Sequence, residues 1–166
     1  MQKENVMSIQ VRTSDEMQAL GARIATGLQD GDVVLLTGQM GNGKSELARG
    51  IAGGLGVRGP VPSPSFTILN LYEEGSMPLY HFDWYRINGR EELIESGLDE
   101  YIGKEGVTLI EWHEKAEDLL PETNLEIIIT QLSSGAREVS FVPHGGFDYL
   151  CIDASMPSVD EEAPSC

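Results

Sequence analysis

One stretch restricts this chain more than any other. Asp32-Val33-Val34-Leu35-Leu36-Thr37 runs into Gly38-Gln39-Met40-Gly41-Asn42-Gly43-Lys44-Ser45, and then into Glu46-Leu47-Ala48-Arg49-Gly50-Ile51-Ala52. The first segment is a short apolar run of the length of a buried strand. The last, with Leu55 beyond it, places Leu47, Ile51 and Leu55 at helical spacing. The middle fits G-x-x-x-x-G-K-[ST] at every fixed position, the pattern of a phosphate-cradling loop. Glycines there reach backbone conformations closed to other residues and turn amide N–H groups inward towards oxygen atoms. A helix beginning at the end of the loop adds its positive dipole terminus. In that arrangement Lys44 reaches the outer phosphates and Ser45 holds magnesium. The competing reading is a glycine-rich turn that matches by chance; a strand before and a helix after, in the required order, favour the phosphate loop.

The rest of the chain reads as further elements of one domain. Met7 to Val11 is a strand. Thr13-Ser14-Asp15-Glu16 fits a capping box, with Thr13 as N-cap and Glu16 reaching back. The helix it opens carries Met17, Leu20, Ile24 and Leu28 on one stripe. Gly53-Gly54-Leu55-Gly56 ends the phosphate-loop helix, and residues 58–65 are too rich in proline to be regular. Phe66–Tyr72 and Leu79–Trp84 read as an antiparallel hairpin. Glu91–Gly97 is a short helix, Val107–Trp112 a buried strand, and Glu114–Leu120 a short helix stopped by Pro121. Leu125–Leu132 and Arg137–Val142 form a last hairpin across Ser133-Ser134-Gly135. Residues 1–153 make the domain, and residues 154–166 are expected to be a frayed acidic tail.

A phosphate loop needs a carboxylate to complete a magnesium shell and a group to place the attacking water. Strand ends are the usual source. Glu111 closes Val107–Glu111, and Asp83 nearly closes the strand from Leu79. Each could instead face water or pair with a neighbour such as Arg86. Ser63 and Ser65, about ten residues beyond the phosphate-loop helix, stand where nucleotide switches supply a hydroxyl to magnesium or the γ-phosphate; a proline-stiffened connector is the alternative. Trp112 either packs in the core or lies under the nucleotide. His81 and His113 lack any partner pattern for zinc.

Charge narrows the partners. Twenty-seven acids against 11 bases give a net charge of −16, and the Lys and Arg residues are scattered. Direct grip on RNA or DNA is therefore disfavoured, whereas a basic partner protein suits the surface. No segment approaches the ~18 apolar residues of a membrane span. The N-terminus has no apolar signal core, and Cys151 and Cys166 give neither a metal spacing nor a disulfide framework. A cytoplasmic protein is expected.

Taken in order, these residues resemble the TsaE (YjeE) family, small bacterial ATPases of the tRNA threonylcarbamoyladenosine pathway. The family's signature is a phosphate loop, then S-P-[ST]-[FY], Y-H-x-D-x-Y-R and E-W. Here these are Gly38–Ser45, Ser63-Pro64-Ser65-Phe66, Tyr80-His81-Phe82-Asp83-Trp84-Tyr85-Arg86 and Glu111-Trp112, within a likeness spanning about residues 7–143. The resemblance implies a single-domain α/β fold with a P-loop NTPase-like sheet, its parallel and antiparallel strands mixed and flanked by helices. It implies ATP on Gly41, Asn42, Gly43, Lys44, Ser45 and Glu46, with Mg2+ held by Ser45 and Glu111. Asp83 would act near the γ-phosphate. Glu16 would reach the nucleotide from the N-terminal segment, in addition to its capping role, and Arg137 would contact the phosphates. The family works with the TsaB–TsaD pair, in which TsaD transfers the threonylcarbamoyl group; tRNA is met only through those partners. Where the family has Thr this chain has Ser45 and Ser65, and both hydroxyls survive. Asn42 replaces a common alanine, Trp84 a leucine and His113 a proline, changes of packing more than of charge.

Two other readings use the same loop. A small-molecule or nucleoside kinase usually adds an arginine-rich lid, and residues 86–104 hold only Arg86, Arg90 and Lys104. A nucleotide-dependent binding module would use ATP as a switch without useful turnover.

Overall fold

The computed structural model describes residues 7–39 and 41–148. The acidic tail, Cys151 and Cys166 lie outside the described residues. Seven strands join in one sheet: β1 (Met7–Val11), β2 (Val33–Thr37), β3 (Leu69–Tyr72), β4 (Leu79–Asp83), β5 (Val107–Glu111), β6 (Asn124–Gln131) and β7 (Arg137–His144), in the spatial order β1-β7-β6-β2-β5-β4-β3. The four central strands β6, β2, β5 and β4 are mutually parallel; β3 pairs antiparallel with β4, β7 with β6, and β1 with β7. This is the mixed α/β sheet expected.

Parallel strands covered on both faces read as continuous apolar runs rather than alternating ones. Every residue of β4 and β5 is buried, as are Val33 to Leu36 of β2. One face of the sheet, through Val34, Leu36, Leu109 and Ile127, packs with Leu20 and Ile24 of α1 (Ser14–Gly27) and with Leu47 and Ile51 of α2 (Lys44–Gly54). The other face, through Val33, Leu35, Phe82 and Ile110, packs with Trp84, Ile87 and Leu93 of α3 (Arg90–Glu95).

Thr13 caps α1 as its sequence predicts: its hydroxyl accepts the Glu16 N–H at 3.1 Å, and the Glu16 carboxylate accepts the Arg12 N–H at 2.7 Å. The crossing of α1 and α2 is close because both helices carry glycine there. A Cβ on Gly50 would lie 2.2 Å from the Gln18 carbonyl oxygen, and one on Gly21 would lie 2.5 Å from that of Leu47.

Four features differ from expectation. β3 begins at Leu69, because residues 65–67 turn and Ile68 takes a left-handed φ of 67°. Local bonds compete with the ladder there: the Ile68 N–H is donated to the Pro64 carbonyl at 2.9 Å, and Thr67 bonds the Asn70 side chain. The segment before Pro121 is a 3-10 stretch, His113–Leu119, broken by the non-helical Ala116, rather than an α-helix. β7 runs on to His144, and an unexpected 3-10 turn covers Leu98–Tyr101.

Candidate functional site

The ends of β2, β4 and β5 and the start of α2 converge, which is where open α/β sheets form ligand crevices. Parallel register sets Leu36 beside Glu111, and Asp83 beside Glu111. A cleft of about 340 Å³ opens there, lined by Gly41, Gly43, Lys44, Ser45, Glu46, Ser63, Ser65, Asp83, Tyr85, Glu111 and Trp112.

The loop has the properties that phosphate binding requires. Gly41 and Gly43 take left-handed φ values of 83° and 101°. Whereas α1 starts on a side-chain cap, α2 starts at Gly43 with none. Its first-turn N–H groups, which no helix satisfies internally, are thus left to a ligand or water at the cleft. Lys44 is nearly buried; its ammonium donates to the Gly38 carbonyl at 2.6 Å and lies 4.3 Å from the centre of the Trp112 ring. Trp112 turns out of β5 with a left-handed φ of 58°, and its ring meets that of Tyr85 at 4.9 Å.

The two strand-end acids have separate partners. Asp83, 5% exposed, accepts the Tyr85 N–H at 2.8 Å on one oxygen and the Ser65 hydroxyl at 3.3 Å on the other. Ser65 in turn bonds Ser63 at 2.8 Å. Glu111, 3% exposed, is bonded to the His81 ring at 2.8 Å. Neither acid faces open water, and Arg86 does not pair with Asp83; it lies 4.3 Å over the ring of Phe66, which is 84% exposed.

Other expected residues are engaged elsewhere. Gly38 is outside the cleft lining, and its carbonyl serves Lys44. Asn42 is also outside it; its amide ties the loop to the Ile129 carbonyl of β6 at 3.2 Å. Glu46 lines the cleft while accepting from Gln18 and pairing with Arg49. Arg137 lines an adjoining cleft that shares Gly43 and Glu46 with the first, and donates to the Gly135 carbonyl at 2.7 Å. Glu16 lines neither; its carboxylate is committed to the start of α1.

Among the described residues no group of three or more His, Cys, Asp or Glu side chains could enclose a metal ion. Ser45, Glu111 and the adjacent Asp83 line the cleft together, a hydroxyl and two carboxylates that could contribute part of a divalent ion's shell. Tyr85 and His81 are the residues that sequence reasoning left without a role at the site. His81 sits two positions before Asp83 on β4, where residues two apart share a face, and Tyr85 lies in the turn just beyond the strand.

Beside the loop, the Thr37 hydroxyl donates to Glu126 at 2.7 Å and meets the His113 ring at 2.9 Å, and His144 lies 3.2 Å from the same carboxylate. Burial pushes the Glu126 carboxyl up. The hydrogen bonds from Thr37 and His144 and the nearby charge of His113 and His144 outweigh it, and hold the group below the ordinary range.

A family profile described as "Threonylcarbamoyl adenosine biosynthesis protein TsaE" matches residues 11–139. The chain is 39% identical over 142 residues to the tRNA threonylcarbamoyladenosine biosynthesis protein TsaE of Bacillus subtilis, covering 85% of this chain and 89% of that one. It is 40% identical over 130 residues to the protein of the same name from Streptomyces coelicolor, covering 76% and 87%. The crystal structure of Bacillus subtilis YdiB superposes with a TM-score of 0.79 at 32% identity, over 91% of this chain and 94% of the other.

Proposed function

This chain belongs to the TsaE family of threonylcarbamoyl adenosine biosynthesis proteins, and from that footing we propose that it binds and hydrolyses ATP with Mg2+ as a cytoplasmic accessory protein, acting with a TsaB–TsaD pair in forming threonylcarbamoyladenosine on tRNA. The observation that carries the proposal is the placement of Asp83 and Glu111, in register on β4 and β5, in one cleft with Lys44 and Ser45.

The roles follow from chemistry. Loop amides and the Lys44 ammonium hold the phosphate chain. The Ser45 hydroxyl and the Glu111 carboxylate would hold Mg2+, which supplies charge neutralisation at the phosphates when bound. Asp83 is an acceptor fixed by a backbone N–H and by Ser65, suited to orienting a water for attack. Ser63 and Ser65 offer hydroxyls on a loop that touches Asp83, so movement of that loop would alter the acid. Trp112 and Tyr85 form an aromatic wall beside Lys44. Arg137 and the adjoining cleft extend the site for the remainder of the nucleotide.

Among the described residues no arginine lines the cleft of Lys44, Asp83 and Glu111, and Arg137 lines only the adjoining one. Arg49 pairs with Glu46, Arg86 stacks on Phe66 and Arg90 pairs with Asp118 at 2.6 Å. Turnover by the chain alone is therefore slow and rises when partners complete the site. The same engagements leave no arginine lid, so the kinase reading is not favoured. With a net charge of −16, tRNA is held by the partners. The test is reconstitution of tRNA modification by TsaB and TsaD, with and without this protein, over many turnovers. The proposal expects repeated turnover only when the protein and ATP are both present; equal yield without it would contradict the proposal.

A further inference from the structure

The geometry points to His81 as a positioning residue for Glu111, one that fixes which carboxylate oxygen the cleft can offer to a divalent ion. This deepens the nucleotide reading above and rests on it. Register pairs His81 with Leu109 and Asp83 with Glu111, so the bond from His81 to Glu111 is diagonal across two parallel strands. It is 2.8 Å long, and both side chains are almost wholly buried, 1% and 4% exposed. With Glu111 as the carboxylate acceptor, Nε2 is the donor and Oε2 the acceptor of this bond. Oε2 is thereby committed, and Oε1 is the oxygen left for the cleft that Glu111 lines.

A histidine kept only for packing would sit poorly here. Its neighbours on β4, Tyr80 and Phe82, are buried, and an apolar residue would cost less at this depth. Among the described residues the other ring nitrogen, Nδ1, is buried with no hydrogen-bond partner, and the ring's polar interaction is with Glu111. A carboxylate otherwise turns readily about its last torsion. Held by one oxygen, it presents the other in a fixed direction, as partners behind metal ligands commonly do.

The test compares wild type, His81→Leu, which keeps bulk without a donor, and His81→Gln, which restores an N–H donor of similar reach. Calorimetry measures ADP affinity with Mg2+ and with EDTA; Mn2+ binding in the presence of ADP is followed by electron paramagnetic resonance, and thermal unfolding is recorded for each protein. Metal-free ADP affinity is expected to stay within about threefold throughout, since the loop amides are untouched. Tightening by the metal should fall about 10- to 100-fold in His81→Leu and return in His81→Gln. Full tightening in a folded His81→Leu overturns the inference. If that variant does not fold, His81→Gln decides alone: retained tightening supports the inference, and lost tightening in a folded protein overturns it. Failure of the wild type to bind ADP at all overturns the cleft assignment itself, and the inference with it.

Discussion

Asp83 and Glu111 face each other in register on two parallel strands, yet their carboxylates are held by different groups. Asp83 is held by the Tyr85 amide and the Ser65 hydroxyl, and Glu111 by the His81 ring. Two buried acids in one cleft with separate supports can carry separate tasks. Glu111 sits next to Leu36 of the loop strand, closer to the start of α2, and Asp83 lies one strand further out, against the serine loop.

Asp83→Asn keeps the shape and the Tyr85 contact but removes the charge. Hydrolysis in the presence of the partners should fall about 10²- to 10⁴-fold, with nucleotide affinity within about threefold. A single-turnover assay beside a binding titration separates the two effects. An equal loss in both would place Asp83 in binding instead.

Trp112 should report occupancy. Its ring lies against the Lys44 ammonium, whereas Trp84 is fully buried in the core cluster against which Trp112 packs. Drawing Lys44 towards phosphate removes a contact of about 0.5–1 kcal/mol and changes the surroundings of the indole. Tryptophan emission should shift on adding Mg2+ and nucleotide, and Trp112→Phe should abolish the shift. A shift that persists in Trp112→Phe would assign the signal elsewhere.

Gly50→Ala tests the close crossing of α1 and α2. Alanine gains about 1 kcal/mol of helix propensity over glycine. The added Cβ meets the Gln18 carbonyl, backbone that cannot move aside, and such overpacking costs about 1–3 kcal/mol. The clash lies at the upper end of that range, so the net effect is a loss of about 2 kcal/mol, or about 4–8 °C in Tm for a chain of this size. Calorimetric unfolding measures it. An unchanged or higher Tm would show that the helices separate freely.

Glu126 sets a segment of the acid response. Its folded pKa lies below the ordinary value of 4.5, so its stabilisation is complete above that pH and is lost as pH falls through the folded value. Glu126→Gln should cost about 1–3 kcal/mol at pH 7, where charge-assisted bonds from Thr37 and His144 are lost. By pH 3 the difference from wild type should narrow. Urea unfolding at the two pH values checks this; a constant difference would remove the carboxylate charge from the account.

Much of the site was legible because its determinants are local. The glycine spacing from Gly38 to Ser45, the apolar run into Glu111 and the Thr13 cap each state their geometry within a few residues. The stretch from Phe66 to Ile68 alternates like a strand, but bonds donated to the Pro64 carbonyl and the Asn70 side chain turn it away, and local competition of that kind has no periodicity to read. His113–Leu119 has helical composition without the length to sustain an α-helix, and Ala116 breaks it. The His81–Glu111 bond depends on two strands 30 residues apart being neighbours, and the Thr37–Glu126 bond joins residues 89 apart. Strand order has to be known before either can be drawn.

The central claim is that the cleft between Lys44, Ser45, Asp83 and Glu111 captures a nucleoside triphosphate with a divalent ion. Titration calorimetry of Mg2+ and ATP into the wild type and into Lys44→Ala, alone and with the TsaB–TsaD pair, tests it most directly. Saturable binding by the wild type is expected, with a loss of about 10²-fold or more in turnover for the variant. No heat of association in either setting, or hydrolysis by Lys44→Ala at the wild-type rate, would contradict it.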